Sequence, residues 1–155
     1  MSDTDWIDVL RQGDEPNVLH RMRTGWAVLG STQFLPGYCL LVHESADHLT
    51  DLSRADRAGF LMDLSLLGEA VQQVCSAADP EFYRVNYEIL GNFWNHLHAH
   101  VHARYHWEPQ ERRRAPVWLY GEERTAPEHS PGPAHDKLRS ALAEALAAIT
   151  ADAYR

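Results

Sequence analysis

Apolar positions along this chain recur with two different periods, and each period predicts a different element. Phe60, Leu64, Leu67, Val71 and Val74 alternate spacings of four and three, which marks one stripe of a long helix ending near Ser76. Ser53, with Asp56 three residues later, resembles a capping box ahead of that stripe. Leu138, Leu142, Leu146 and Ile149 draw a second stripe, along an alanine-rich closing helix, and residues 5–13 read as a short opening helix. Gly25–Leu29 and Gly37–His43 read as strands. The Leu35-Pro36-Gly37 turn between them pairs the two antiparallel, and their lack of strict polar alternation predicts cover on both faces. The aromatic and β-branched run Phe82–Ile89 reads as a third strand, broken at Gly91-Asn92. Val117-Trp118-Leu119-Tyr120 reads as a short edge strand, and the proline-rich stretch 125–133 as an exposed connection.

The remaining segment, 96–102, alternates differently: His96, His98, His100 and His102 are separated by Leu97, Ala99 and Val101. Side chains on a strand point to opposite faces in turn, so an extended backbone puts all four imidazoles on one surface. Imidazole titrates nearest neutrality, so such a row can exchange protons, attack phosphorus or ligate a metal. Adjacent histidines of the row would stand roughly 7 Å apart, whereas a tetrahedral metal site draws ligands from several elements. A Zn-type site that uses the row, with His106 completing it, is therefore the rival to phosphate chemistry.

Composition narrows the choice. At 155 residues, the chain is about one domain long and would bury roughly two-thirds of its unfolded surface, and no apolar run approaches the ~20 residues that span a bilayer. A net charge of −8 argues against broad binding to a nucleic-acid backbone, though not against a small phosphate-bearing ligand. Arg112-Arg113-Arg114 is a local exception, read as a solvated loop or as a phosphate clamp. Cys39 and Cys75 are too few for a disulfide scaffold and are expected reduced and buried. The amino terminus is acidic where a secretory signal would be basic, so a cytoplasmic location is expected. His20, His43, His48, His129 and His135 read as ordinary surface or capping histidines.

The motif His96-Leu97-His98-Ala99-His100 resembles the signature of the histidine triad family. Gly91, five residues before it, and Arg104, four residues after it, match the family's loop glycine and trailing arginine. They favour this register over the shifted one, His98-His100-His102. Trp26–Leu29, Phe34–Val42 and His48–Leu52 look like the family's first strand pair and helix entry, so the resemblance covers roughly residues 20–107. It implies an α+β fold, with an antiparallel sheet of about five strands, one long helix packed on it and a C-terminal helix. Residues 1–155 are then one domain, with 108–155 as a C-terminal extension.

By the same resemblance, His98 is the nucleophile that becomes a transient nucleotidyl-histidine, which splits one difficult substitution into two easier ones. His100 hydrogen-bonds phosphate oxygens or helps hold His98, and His96 lies near the leaving group. Asn92 is a candidate contact to the phosphate or leaving group and Asn86 to the phosphate or ribose, with a structural cap as the other reading of Asn86. Trp26 and Leu29 are read either as walls of a base pocket or as core. The resemblance implies a nucleotide substrate, expected to be a purine nucleotide, a homodimer, no nucleic-acid or membrane partner, and no required cofactor, with a divalent metal as the alternative. A non-catalytic nucleotide-binding protein of the same fold is the other alternative. The sequence departs from the family pattern at Asn95 (often proline), at His102 (an apolar position) and at Gly30, where several relatives place a polar residue that contacts ribose.

Overall fold

A computed structural model describes residues 3–155. The chain runs α1 (Asp3–Gln12), β1 (Val18–Arg21), β2 (Gly25–Leu29), β3 (Cys39–His43), α2 (Arg54–Ala78), β4 (Phe82–Glu88), β5 (His98–Tyr105), α3 (Gln110–Arg113) and α4 (Asp136–Ala153). The strands form one antiparallel sheet in the order β1-β2-β3-β5-β4, giving the α+β architecture expected.

The long helix starts where its cap predicts, with the Ser53 hydroxyl accepting from the Asp56 amide at 3.1 Å. Its stripe of Phe60, Leu64, Leu67 and Val71 is buried against Ala27, Leu29, Cys39, Leu41, Ala99, Val101 and Ala103, the inward side chains of β2, β3 and β5. The three alanines let the helix approach the sheet closely, and Leu142 and Leu146 of α4 close the same core. Truncating a buried leucine here, Leu67→Ala for example, would cost about 2–5 kcal/mol. Both cysteines are free and buried in this core, and burial pushes the Cys75 thiol up to about 11, so neither is a nucleophile at neutral pH.

The other face of the sheet carries the even-numbered residues of β5. Trp26, Val42 and His98 lie side by side across three strands, as do Val28, Leu40, His100 and Glu88 across four. α1 covers the β2 end of this face, where Ile7 and Leu10 bury Trp26, Val28 and Val42.

Besides the short α3, which falls in the charged stretch read as a loop, two elements differ from expectation. β1 is an additional strand, short and bulged between Val18 and His20, and its polar His20 and Arg21 hide it from an apolar-pattern reading. The expected edge strand Val117–Tyr120 is instead the start of a 3₁₀ segment, Val117–Thr125. Val117 and Tyr120 are the buried pair, three residues apart, which is the repeat of a 3₁₀ turn, and Leu119 points outward. The 125–133 connection is largely exposed but not free: the Gln33 backbone N–H donates to the His129 carbonyl at 2.7 Å. No helix among the described residues is long and apolar enough to cross a membrane.

Candidate active site

β5 begins at His98, so three of the four histidines are strand residues and His96 sits at the bend just before it. The ring centroids of His98 and His100 are 4.8 Å apart and those of His100 and His102 are 6.2 Å apart, so the strand histidines share one face. His96 is tied in differently: its Nε2–H donates to the His43 carbonyl at 2.6 Å. His43 itself caps its own turn, with Nδ1 accepting from the amides of Ser45 and Ala46.

His98 is fixed in one tautomer. Its Nδ1–H donates to the His96 carbonyl at 2.7 Å, which leaves Nε2 with its lone pair. Burial lowers the His98 pKa against the pull of that carbonyl, so the ring is neutral at pH 7. The result is an unprotonated ring nitrogen held in a set direction.

His100 is fixed from the other side. The Tyr38 hydroxyl donates to its Nδ1 at 2.8 Å, the Arg124 guanidinium lying beside the same phenol ring, so Nε2 carries the proton. Burial first, and then the neighbouring His98 and Arg124, hold its pKa down to about 4. A neutral donor at Nε2 thus stands next to the neutral acceptor of His98.

Tyr38 is placed by the β2–β3 turn. Gln33 braces that turn, its amide nitrogen donating to the carbonyls of Gly30 and Tyr38 and its oxygen accepting from the Gly37 amide. A Cβ on Gly30 would lie 2.6 Å from the Tyr38 ring. The departure at position 30 is therefore what admits the phenol that orients His100.

His102 plays a different part. It is 1% exposed, both ring nitrogens lack hydrogen-bond partners among the described residues, and Tyr38 packs against it with ring centroids 4.0 Å apart. Glu88 Oε1 stands 4.0 Å from its Nδ1, too far for a hydrogen bond, and burial drives its pKa well below the usual value. It is a neutral packing residue beneath Tyr38 and Trp118.

Arg104 staples the C-terminal extension onto this face. Buried, it donates to both Glu108 carboxylate oxygens, to Asn86 Oδ1 at 2.8 Å and to the carbonyls of Ala115 and Arg112. Glu108 also accepts from the Tyr105 amide and the Tyr120 hydroxyl. Asn86 Oδ1 is thereby engaged by Arg104, in keeping with a structural role, while its side-chain NH₂ donates to no group among the described residues. Arg112 and Arg113 tie down carbonyls of Leu119 and His106, so the arginine run is not wholly solvated.

The other proposed contacts divide. Trp26 lies on the histidine face but is buried under α1. Leu29 faces the α2 core on the opposite side of the sheet, so it cannot wall a pocket beside the histidines. Asn92 is exposed in the loop opened by Gly91, whose φ of 75° is left-handed. From the same loop, Trp94 stacks on His96 (5.0 Å, 18°) and leans on His98 (4.9 Å, 36°), a contact no sequence signal announced. Trp118 and Arg124, from the extension, were likewise not foreseen. They cover His100 and His102.

A depression of about 200 Å³ opens beside His96, lined by Ile7, Arg11, Ser45 and Trp94 among others. A larger hollow, about 840 Å³, lies between α2 and α4, away from the histidines, and carries no chemistry of this kind. Among the described residues no cluster of three or more His, Cys, Asp or Glu side chains is arranged to hold a metal ion.

The HIT domain model matches residues 17–107, more than half of the chain. The chain belongs to the histidine triad (HIT) family. Solved HIT structures share its fold at low identity. A histidine triad protein from Sinorhizobium meliloti gives a TM-score of 0.66 at 20% identity, covering 86% of this chain and 92% of its own. A Zn-bound histidine triad family protein from Mycobacterium smegmatis gives 0.62 at 18%, covering 97% and 96%. A hypothetical histidine triad nucleotide-binding protein from Sulfolobus tokodaii gives 0.66 at 10%, covering 94% and 93%. No curated protein matches this HIT chain significantly in sequence.

Proposed function

We propose that this HIT protein is a nucleotidyl hydrolase or transferase, acting on a nucleoside 5'-monophosphate joined to its leaving group by a phosphoanhydride or phosphoramidate bond. The observation that carries this reading is the 2.7 Å hydrogen bond from His98 Nδ1 to the His96 carbonyl, which leaves Nε2 free to attack. Attack on the α-phosphorus forms an N–P bond and breaks the bond to the leaving group, which departs with the electron pair near His96 and takes up a proton from solvent. Water, or an acceptor hydroxyl in transfer, then attacks the same phosphorus, gives up its proton to solvent, releases the nucleotide and returns the electron pair to Nε2. His100 Nε2–H serves as a fixed donor to a phosphoryl oxygen throughout, which lowers the barrier more than mobile water would. Trp26 contributes to the apolar floor beneath the nucleoside, and Asn92 is a contact at the phosphate.

A non-catalytic, nucleotide-binding reading is favoured by one observation: the Trp94 ring lies against His98 and must move or stack to admit a ligand. Turnover of an adenosine 5'-phosphoramidate and of a dinucleoside polyphosphate, by wild type and His98→Ala, separates the two. Activity that His98→Ala abolishes supports the hydrolase, and tight binding without turnover supports the alternative. Chelator-sensitive activity would support the metal reading instead.

The same proposal includes a homodimer. The outer edge of β4 is unpaired, and Tyr83, Tyr87, Ile89 and Leu90 are exposed along it. Sedimentation of wild type against Tyr87→Lys tests it, with a shift to monomer expected.

A further inference from the structure

Arg124 lies outside the stretch that the family model matches, yet it reaches the histidine face. Its carbonyl accepts from the Thr32 hydroxyl in the β2–β3 turn, which anchors the backbone. The guanidinium carbon sits 4.6 Å from the Trp118 ring centre and 5.5 Å from that of Tyr38. Both rings abut His100: Trp118 at 4.7 Å between centroids, Tyr38 through the hydrogen bond to Nδ1.

Arg124 is only 9% exposed, and its Nη1 is buried with no hydrogen-bond partner among the described residues. Glu88, an acid on this face, is engaged through Oε2 by the Trp118 indole N–H at 2.7 Å. A guanidinium does not shed its proton near neutrality, so burying one of its N–H groups without an acceptor is costly. Arg104, on β5 and the same face, shows what a structural arginine looks like here, with a carboxylate, an amide oxygen and two carbonyls as partners. Arg124 has no such set. Its unused donor stands among the rings of Trp118 and Tyr38, which abut His100, whose Nε2–H is also unused.

We infer that Arg124 is an anion-binding residue of this site, with Nη1 taking a phosphate oxygen of the substrate beside His100. This rests on the nucleotidyl reading above and adds a charged contact supplied by the C-terminal extension. A phosphate suits the planar fork of an arginine, and its charge would offset the desolvation of the cation. The oxygen belongs either to the phosphoryl group under attack or to a phosphate in the leaving group.

The test compares wild type, Arg124→Gln and Arg124→Lys in three measurements: inorganic pyrophosphate binding by calorimetry, thermal melting without ligand, and kcat/KM on an adenosine 5'-phosphoramidate and a dinucleoside polyphosphate. Pyrophosphate affinity is expected to fall at least ten-fold in Arg124→Gln and less in Arg124→Lys, while the ligand-free melting temperature does not fall. A loss of turnover on both substrates assigns the oxygen to the attacked phosphoryl group. A loss confined to the dinucleoside polyphosphate assigns it to the leaving group. Unchanged affinity and turnover, or a lower melting temperature with affinity retained, overturns the proposal. If wild type cleaves neither substrate but pyrophosphate binding still depends on Arg124, the nucleotidyl reading fails and the anion site stands. If wild type and Arg124→Gln cleave equally well and bind pyrophosphate equally well, the reverse holds. Should Arg124→Gln not fold, Arg124→Lys, which keeps the charge and loses the fork, carries the same comparison with a smaller expected loss.

Discussion

Replacing Glu108 by glutamine should unfasten the C-terminal extension from the histidine face. Glu108 Oε1 accepts from Arg104 Nε and Nη2 and from the Tyr120 hydroxyl, and Oε2 accepts from Arg104 Nε and the Tyr105 amide. Whichever way the new amide turns, its NH₂ confronts at least two donors, and the buried Arg104 loses its counter-ion. Breaking a buried pair from one side costs about 3–5 kcal/mol. At roughly 2–4 °C per kcal/mol for a domain of this size, the melting temperature should drop by about 6–20 °C. Thermal and urea melts of wild type, Glu108→Gln, Arg104→Met and the pair Arg104→Met/Glu108→Leu form the assay. The pair should recover much of the loss, because it removes both charges together. A Glu108→Gln loss below about 1 kcal/mol, the scale of an exposed ion pair, would refute the reasoning, as would strictly additive single losses.

Tyr38→Phe keeps the ring against His102 and removes only the donor to His100, so a loss of about 1–3 kcal/mol in stability and a ten-fold or larger fall in kcat are expected, measured by melting and by nucleotide turnover. Because burial lowers the His98 pKa, kcat/KM should stay flat as pH falls from 8 through 6.5 and decline only below, when Nε2 is protonated, and a pH–rate profile checks this. For His100, both folded and unfolded chains are neutral above about pH 6.5. Below that the unfolded chain binds the proton first, so stability should fall by about 3 kcal/mol between pH 6.5 and the folded value of about 4. His102→Phe removes a second histidine of the same kind, and urea melts at pH 7 and 5 should show a shallower acid loss in that variant.

The sheet and both long helices were legible because their apolar stripes are long and regular: Phe60 to Val71 and Leu138 to Ile149 name their own core. β1 was not, since two of its four residues are polar. Val117–Tyr120 misled because an apolar run of four is too short to reveal its period. The row of histidines could be read from alternation alone. Its supports could not, since the Tyr38–His100 bond joins residues 62 apart and Arg124 arrives from a segment with no distinguishing pattern. Leu29 was a different case: Trp26 and Leu29 are three apart on one strand, and strand parity already puts them on opposite faces.

The contact between Gly30 and Tyr38 ties two positions together across mutational time. Adding even a methyl group at position 30 would drive it into the phenol ring. A lineage could not gain a polar side chain at 30 while keeping the tyrosine in place, nor would removing the tyrosine first leave His100 oriented. The two sites are epistatic, and the route from this arrangement to one with a ribose contact at position 30 passes through an intermediate with an unheld imidazole. In directed evolution, Gly30 should therefore tolerate substitution only in backgrounds where position 38 has already been made smaller.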